Sequence, residues 1–169
     1  PMQLVTALSA VANGGVLMKP YLVQSILDGR GRVVYDAAPQ AKRRPMSQET
    51  ARTLRTILEG AVSRGTGAKA ILPGFRVAGK TGTAQKIDPA TGGYSATKLV
   101  GSFAGFVPAE DPKLAIVVTL DEPQGEAWGG AVAAPIFRRV AEQALPALGV
   151  YSQEPAKFAM AARAPVLVP

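Results

Sequence analysis

The chain contains neither cysteine nor histidine among its 169 residues. Disulfides, cysteine nucleophiles and the usual zinc sites are therefore excluded, and so is a Ser-His-Asp catalytic triad. Any acid–base chemistry must come from lysine, aspartate, glutamate or tyrosine, or from a partner segment. The lack of cysteine also fits an oxidising compartment.

Aromatic residues are scarce, at 6% of the chain, and acidic residues are fewer than basic ones, which gives a formal charge of +7. The basic residues are scattered apart from Lys42-Arg43-Arg44, and aromatics are not interleaved with them. This pattern predicts a solvated basic surface and no nucleic-acid partner. No apolar run has the length of a membrane span, and the N-terminus lacks a signal-peptide pattern.

The length suits one domain or part of one. A helical pattern is already under way at Pro1, which predicts a fragment of a longer protein. We place one domain at residues 1–150. Residues 151–169 are predicted to be a linker or tail, since alanine, proline and polar residues dominate there.

Local patterns predict an α+β fold, with an antiparallel sheet flanked by helices. The predicted helices are 2–13, stopped by Asn13-Gly14-Gly15; 48–64, capped by Ser47; and 131–145. The predicted strands are 21–27 and 32–35, which form a hairpin, and 75–85, 99–107 and 114–120, which form a meander. Residues 37–45 and 87–98 are predicted to be loops.

Helical periodicity also predicts which side chains are buried. In the second helix the inward residues are predicted to be Leu54, Ile57, Leu58, Ala61 and Val62. In the last helix the residues predicted to face the sheet are Val132, Ile136, Val140 and Ala144.

The stretch from Gly74 to Gln85 carries two overlapping motifs that predict different chemistry. Residues Gly74 to Thr81 fit the phosphate-loop pattern G-x-x-x-x-G-K-[ST], whereas Lys80-Thr81-Gly82 is a K-T-G triplet. A phosphate loop must follow a buried strand and open a helix. Too few apolar residues precede Gly74, and the residues after Gly82 lack a helical period. A strand is therefore favoured, and a nucleotide-binding phosphate loop is the alternative.

As a strand, this stretch is suited to binding an anion. Side chains alternate across a strand, so Thr81 and Thr83 share one face and their hydroxyls can converge on one anion. Lys80 places a positive charge beside them. Gly79 and Gly82 lack side chains and would let another backbone lie close. The pattern predicts an edge that pairs with an extended peptide ending in a carboxylate.

The segment from Val77 to Gln85, VAGKTGTAQ, resembles the third active-site motif of the class B penicillin-binding proteins. Further similar segments follow the order of that family; they are Gly65-Thr66-Gly67, Gly92-Gly93-Tyr94, Ser102 to Pro108, Gly129-Gly130 and Ala133 to Phe137. The segment from Gln3 to Pro20 is similar as well. The resemblance covers residues 1 to 150 and is closest to the septal, cell-division type. It implies the C-terminal part of a β-lactamase/transpeptidase-like fold.

The resemblance also implies a function, that of a peptidoglycan D,D-transpeptidase which β-lactams inhibit. Lys80 and Thr83 would be catalytic, with the Thr83 N–H as one of two oxyanion-hole donors. Lys80, Thr81, Gly82 and Thr83 would bind the substrate, with the threonine hydroxyls on its carboxylate. No metal or other cofactor is implied. For Gly65-Thr66-Gly67 a helix stop and turn is at least as good an interpretation as a site role, and Gly129-Gly130 is predicted to join a loop to a helix.

The implied partners are stem peptides, β-lactams and other cell-division and cell-wall synthesis proteins. The protein is expected at the cytoplasmic membrane, with its catalytic domain on the periplasmic or extracellular side and its anchor in a preceding helix.

The nucleophile of that family is expected outside this chain. Ser95-Ala96-Thr97-Lys98 matches Ser-x-x-Lys, but it follows the K-T-G strand and lies in a predicted glycine-containing loop that leads into the next strand, where side chains three residues apart diverge. No Ser-x-Asn occurs in the sequence. The missing N-terminal part of the domain would supply both motifs, and the chain alone is predicted to be inactive. A penicillin-binding-like sensor that never acylates is a further alternative.

Overall fold

Helices and strands occupy most of residues 1–152, which are the residues that the computed structural model describes. The helices are α1 Met2–Ala12, α2 Gln48–Ser63 and α3 Gly129–Ala147, with a 3₁₀ turn at Ala68–Ala70. The strands are β1 Leu17–Met18, β2 Ser25–Leu27, β3 Val33–Asp36, β4 Ala41–Arg43, β5 Ala78–Ile87, β6 Tyr94–Val107 and β7 Leu114–Asp121. Within this part of the chain, no helix has the length and apolar character needed to cross a membrane. Most of the predicted tail, from residue 153 onward, lies outside the described residues.

The ends of the first two helices follow from their sequences. At the start of α2 the Ser47 hydroxyl accepts a hydrogen bond from the Thr50 N–H at 3.0 Å, which confirms the predicted cap. After α1 the chain turns through Gly14 and Gly15, at φ values of 61° and 90°. The Gly15 N–H donates to Ala10 O at 2.7 Å and closes the helix.

Strands β5, β6 and β7 form an antiparallel sheet in chain order, which confirms the predicted meander. The β5–β6 hairpin is longer than predicted, because Ile87 pairs with Tyr94 and leaves only residues 88–93 as a turn. The predicted loop 87–98 is therefore wrong at residue 87 and at residues 94–98, which is half of its length. Its polar composition misled the prediction, since a hairpin arm beyond the core needs paired backbone groups but no apolar alternation.

Strand β5 begins at Ala78, three residues later than predicted. The chain before it makes a tight turn, in which Phe75 N–H donates to Leu72 O at 3.1 Å and Gly74 lies at φ 77°. A glycine at that position avoids the strain that a side chain would meet in the left-handed region.

Two small two-stranded sheets, β1–β4 and β2–β3, precede the meander in the sequence. Strands β2 and β3 form the predicted hairpin, although β2 begins at Ser25, four residues later than predicted. Strand β4 pairs with β1, so the predicted loop 37–45 is wrong at residues 41–43. Strands β1 and β4 are too short to show a strand pattern of alternating apolar residues, and their pairing joins segments more than twenty residues apart in sequence.

The meander is covered on both faces. Helix α3 covers the face that carries Phe103, whose ring meets that of Phe137 edge to face, with centroids 4.8 Å apart. On the opposite face, α1 and α2 pack on Phe106 through Val11, Leu54 and Leu58 among others. Helix α2 also contributes Val62 to the cluster under α3.

The predicted buried face of α3 is wrong by one residue. Its buried side chains are Ala133, Ala134, Phe137, Ala141 and Leu145, whereas Ile136 and Val140 are exposed by 38% and 43%. Apolar residues lie on both sides of this helix, so its period fits two faces about 100° apart. Size decides between them, because Phe137 fills the space beside Phe103. In α2, Ile57 is 60% exposed and was also wrongly predicted as buried.

Candidate functional site

Strand β5 carries the K-T-G triplet on the outer edge of the meander. It pairs with β6 on one side, and no strand pairs with its other side among residues 1–152. Thr81 and Thr83 share the face that α3 covers, opposite Phe103 and Gly101 of β6, while Lys80 starts from the other face. The predicted edge strand and its alternation are thus present.

The backbone N–H and C=O groups of Thr81 and Thr83 point away from β6, to this outer edge of the sheet. In an antiparallel strand, successive residues turn their N–H and C=O alternately to the two sides. A β-carbon on Gly129 would lie within 3 Å of the Gly82 carbonyl oxygen and of the backbone N and O of Ser102, the partner of Gly82 on β6, so these three atoms lie around one point. The Thr81 carbonyl instead accepts a hydrogen bond from Lys80 Nζ at 3.0 Å. Gly82 therefore faces β6, and the N–H groups of Thr81 and Thr83 point outward.

The Thr81 hydroxyl is the centre of a small polar cluster. Lys80 Nζ folds round the strand edge and lies 3.1 Å from Thr81 Oγ1. Thr66 Oγ1 approaches the same atom to 2.7 Å. Thr66 belongs to the turn after α2, where the Gly67 N–H donates to Ala61 O at 3.1 Å. The Lys80 ammonium group and the hydroxyls of Thr66 and Thr81 thus meet at one point, although the two threonines are 15 residues apart in sequence.

The Thr83 hydroxyl is engaged by the start of α3. It accepts a hydrogen bond from the Gly129 N–H at 3.2 Å. A β-carbon on Gly129 would overlap the carbonyl oxygens of Ser102 and Gly82, and one on Gly130 would overlap Thr66 O. These two glycines let the helix start approach β5 and the Thr66 turn more closely than any other residue could.

Thr66, Gly129 and Gly130 lie at the candidate site but were not among the predicted site residues. Their segments were predicted as a helix stop and a loop-to-helix join, and they do serve those roles. The available signal was glycine itself at two separate places, which indicates close backbone approach as well as a turn. Sequence alone could not indicate that both approaches end on the same strand.

The space that the sequence predicted beside Gly79 and Gly82 is filled by atoms of the neighbouring strand β6. A β-carbon on Gly79 would lie 2.6 Å from the Phe103 ring and 2.8 Å from Ala104 O. One on Gly82 would lie 2.5 Å from Ser102 Oγ. Gly79 therefore makes room for the Phe103 ring and for the Ala104 carbonyl of β6.

The geometry of a phosphate loop is absent at residues 74–81. Gly74 sits in a tight turn, and Lys80 and Thr81 lie inside a strand that continues to Ile87 with no helix after them. The amides of a helix N-terminus, which would hold phosphates, are missing at this point. The nucleotide-binding alternative is therefore wrong.

The Ser95–Lys98 match lies on β6, whereas the sequence predicted that it lies in the loop before that strand. Ser95 Oγ accepts a hydrogen bond from the Lys98 backbone N–H at 3.0 Å, a local turn with no helix around it. This serine lacks the helical spacing that would bring the Lys98 ammonium to its hydroxyl.

An ion cluster ties the far end of β5 to the segment after β7. Lys86 Nζ lies 2.7 Å from Glu122 Oε1 and 2.9 Å from Asp121 Oδ1. Hydrogen bonds with Glu122 and then Asp121 raise the pKa of the Lys86 ammonium. The cluster therefore fixes one end of residues 122–128, whose other end leads into Gly129. Among residues 1–152, no three acidic side chains are grouped so that they could hold a metal ion.

Residues 1–142 of the chain match the family model of the penicillin binding protein transpeptidase domain. Stage V sporulation protein D of Bacillus subtilis is 43% identical over 152 residues, which are 89% of this chain and 23% of that protein. The probable peptidoglycan D,D-transpeptidase FtsI of Caulobacter vibrioides is 37% identical over 163 residues, or 89% of this chain and 26% of that protein. The chain thus spans about a quarter of the length of these relatives.

Solved structures are similar as well. Penicillin-binding protein 3 of Mycobacterium tuberculosis in complex with aztreonam aligns with a TM-score of 0.78 and 32% identity, over 91% of this chain and 36% of that one. The transpeptidase domain of penicillin-binding protein 3 from Burkholderia pseudomallei aligns with a TM-score of 0.73 and 37% identity, over 90% of this chain and 44% of that one.

Proposed function

Because the chain belongs to the penicillin-binding protein transpeptidase family, we propose that it supplies the substrate-binding strand of a peptidoglycan D,D-transpeptidase. The observation that carries the proposal is the arrangement on the outer edge of β5. The Lys80 ammonium, the hydroxyls of Thr81 and Thr83 and two outward N–H groups lie together on a strand with an open side. Such an edge can pair with an extended peptide and bind its terminal carboxylate.

In this proposal the reaction is acyl transfer through a serine. The serine attacks the carbonyl of the penultimate D-alanine, and the terminal D-alanine leaves with its amino group. The acyl group then passes to the amine of a neighbouring stem peptide. The outward Thr83 N–H stabilises the oxyanion of each tetrahedral intermediate, a donor typically worth ~3–4 kcal/mol of transition-state stabilisation. The Lys80 ammonium adds positive charge, while Thr81 and Thr83 hold the carboxylate.

The serine and its lysine belong, in this proposal, to a part of the protein outside this chain. The sequence holds no Ser-x-Asn, and its Ser-x-x-Lys match is on a strand. Each of the two curated relatives is about four times as long as the stretch matched here. The chain would therefore be the C-terminal part of a transpeptidase domain and inactive alone.

The same proposal covers the setting. Cross-linking acts on peptidoglycan, which lies outside the cytoplasmic membrane, so the catalytic domain would face the periplasm or exterior and be anchored elsewhere in the protein. The similarity to the probable peptidoglycan D,D-transpeptidase FtsI of Caulobacter vibrioides supports the transpeptidase reaction, while the septal role with cell-division partners rests on the resemblance of the motifs. The similarity to a sporulation protein supports a competing role, in which the protein acts during sporulation.

The test is covalent labelling of the complete protein with a fluorescent penicillin, followed by intact-mass analysis. One adduct per molecule is expected, on a serine outside this chain. Lys80→Ala should lower the second-order acylation rate constant by about ten- to a hundredfold, because a hydrogen bond to a charged group contributes about 1.5–3 kcal/mol.

Lys98→Ala is the matched control, since it removes an exposed lysine on the neighbouring strand and should leave the rate unchanged. A complete, folded protein that forms no adduct would contradict the transpeptidase proposal and favour a sensor.

A further inference from the structure

The Thr81 hydroxyl has more neighbours than it has hydrogens. Its oxygen lies 3.1 Å from Lys80 Nζ and 2.7 Å from Thr66 Oγ1. An ammonium group can only donate, so Thr81 Oγ1 accepts from Lys80. The contact with Thr66 then runs in one of two directions. Thr81 either donates its single hydrogen to Thr66 or accepts a second hydrogen bond from it.

Only the second direction leaves Thr81 able to bind an anion. A carboxylate oxygen only accepts, so it must receive the Thr81 hydrogen. Thr66 must then donate to Thr81 Oγ1, whose two lone pairs are filled by Thr66 and Lys80. Both outcomes are open to a hydroxyl, which can rotate, and the arriving carboxylate selects one.

Thr83 is arranged in the same way by a different group. Its oxygen accepts from the Gly129 N–H at 3.2 Å, and a backbone amide can only donate. The Thr83 hydrogen is therefore left for a ligand. The two threonine hydroxyls on this face thus each have a protein donor behind them.

We propose that Thr66 is a positioning residue for the carboxylate site: when the substrate is bound, the Thr66 hydroxyl donates to Thr81 Oγ1, and the single hydrogen of Thr81 goes to the carboxylate. Thr66 does not touch the substrate in this arrangement. It is held from behind, because Gly130 lies against its carbonyl with no room for a β-carbon. This inference rests on the function proposed above for Lys80 to Thr83.

The test uses the complete protein and measures the apparent dissociation constant and the maximal acylation rate separately. Thr66→Val keeps the branched shape and removes the hydroxyl. It should raise the dissociation constant for a penicillin about three- to tenfold, the range expected for one neutral hydrogen bond. Thr66→Ser keeps the donor and should stay within about twofold of wild type. Thr56→Val, which removes an exposed hydroxyl from α2, should change nothing.

Two further arms separate positioning from plain structural support. The methyl ester of the same penicillin lacks the carboxylate, so Thr66→Val should not change its binding or reaction. In a Thr81→Val background, Thr66→Val should have no further effect on the penicillin. An equal loss with penicillin and ester, or additive losses in the double variant, would overturn the proposal.

The remaining outcomes are also decisive. If Thr66→Val lowers the melting temperature too far for assay, Thr66→Ala carries the same expectation. Wild-type affinity in either folded variant would refute the role of Thr66 and leave the transpeptidase function standing. A wild-type protein that is not acylated would instead remove the function on which the inference rests.

Discussion

Gly129→Ala should weaken the site by moving the start of α3 away from the strand. The new β-carbon would overlap the carbonyl oxygens of Ser102 and Gly82 and lie 2.9 Å from Ser102 N. Carbon–oxygen contacts in proteins ordinarily begin at about 3.3 Å, so the helix start must move outward by roughly 1 Å. The Gly129 N–H already lies 3.2 Å from Thr83 Oγ1, and half that shift would break this bond.

Two magnitudes follow. Overpacking of this kind typically lowers the free energy of unfolding by about 1–3 kcal/mol. Loss of the bond to Thr83 should lower the acylation rate constant by about two- to tenfold, as for one neutral hydrogen bond.

The assay is thermal melting together with the second-order acylation rate of the complete protein. Gly29→Ala is the control, because no atom lies within 4 Å of a β-carbon there and the residue does not lie in the left-handed region. A Gly129→Ala protein with the melting temperature and acylation rate of wild type would refute the packing argument.

Three further predictions concern single groups. In the complete protein, Thr83→Val should lower the acylation rate constant by about one to two decades, since it removes a hydroxyl proposed to bind a carboxylate; an unchanged rate in a folded variant would remove that hydroxyl from the site. This chain alone should form no adduct with penicillin, and intact-mass detection of stoichiometric labelling at Ser95 would contradict this. The N–H of Arg32, then its side chain, lower the pKa of the Asp28 carboxyl from its ordinary value of 3.8. The carboxylate should therefore support the β2–β3 hairpin at neutral pH and lose this effect as the pH falls through the lowered pKa. Amide exchange at Arg32 should accelerate there, and should not respond to pH in Asp28→Ala beyond the intrinsic rate.

The parts of the fold that sequence predicted are those with local causes. The Ser47 cap, the Gly14-Gly15 stop and the three strands of the meander each depend on residues within a few positions of one another. The K-T-G strand was found for the same reason, since alternation of Thr81 and Thr83 is a property of any strand.

The errors arise where distant segments decide. The pairing of β4 with β1 depends on a partner more than twenty residues away, and the polar arm of the β5–β6 hairpin is ordered by its opposite strand. The face of α3 depends on the space beside Phe103 and not on the helix period, which fits two faces.

The candidate site combines both kinds of information, and this explains why a motif is an incomplete description of it. The K-T-G strand supplies an ammonium group and two hydroxyls, but a hydroxyl can donate or accept. Which of the two it does depends on the groups behind it and on the ligand. Here those partners are Thr66, 15 residues before Thr81, and Gly129, 46 residues after Thr83. The same triplet on an isolated edge strand would lack both partners, so its hydroxyls could turn to each other, to water or to the backbone. In the proposal made above, selectivity for a carboxylate therefore depends on the turn after α2 and the start of α3 as much as on the triplet itself.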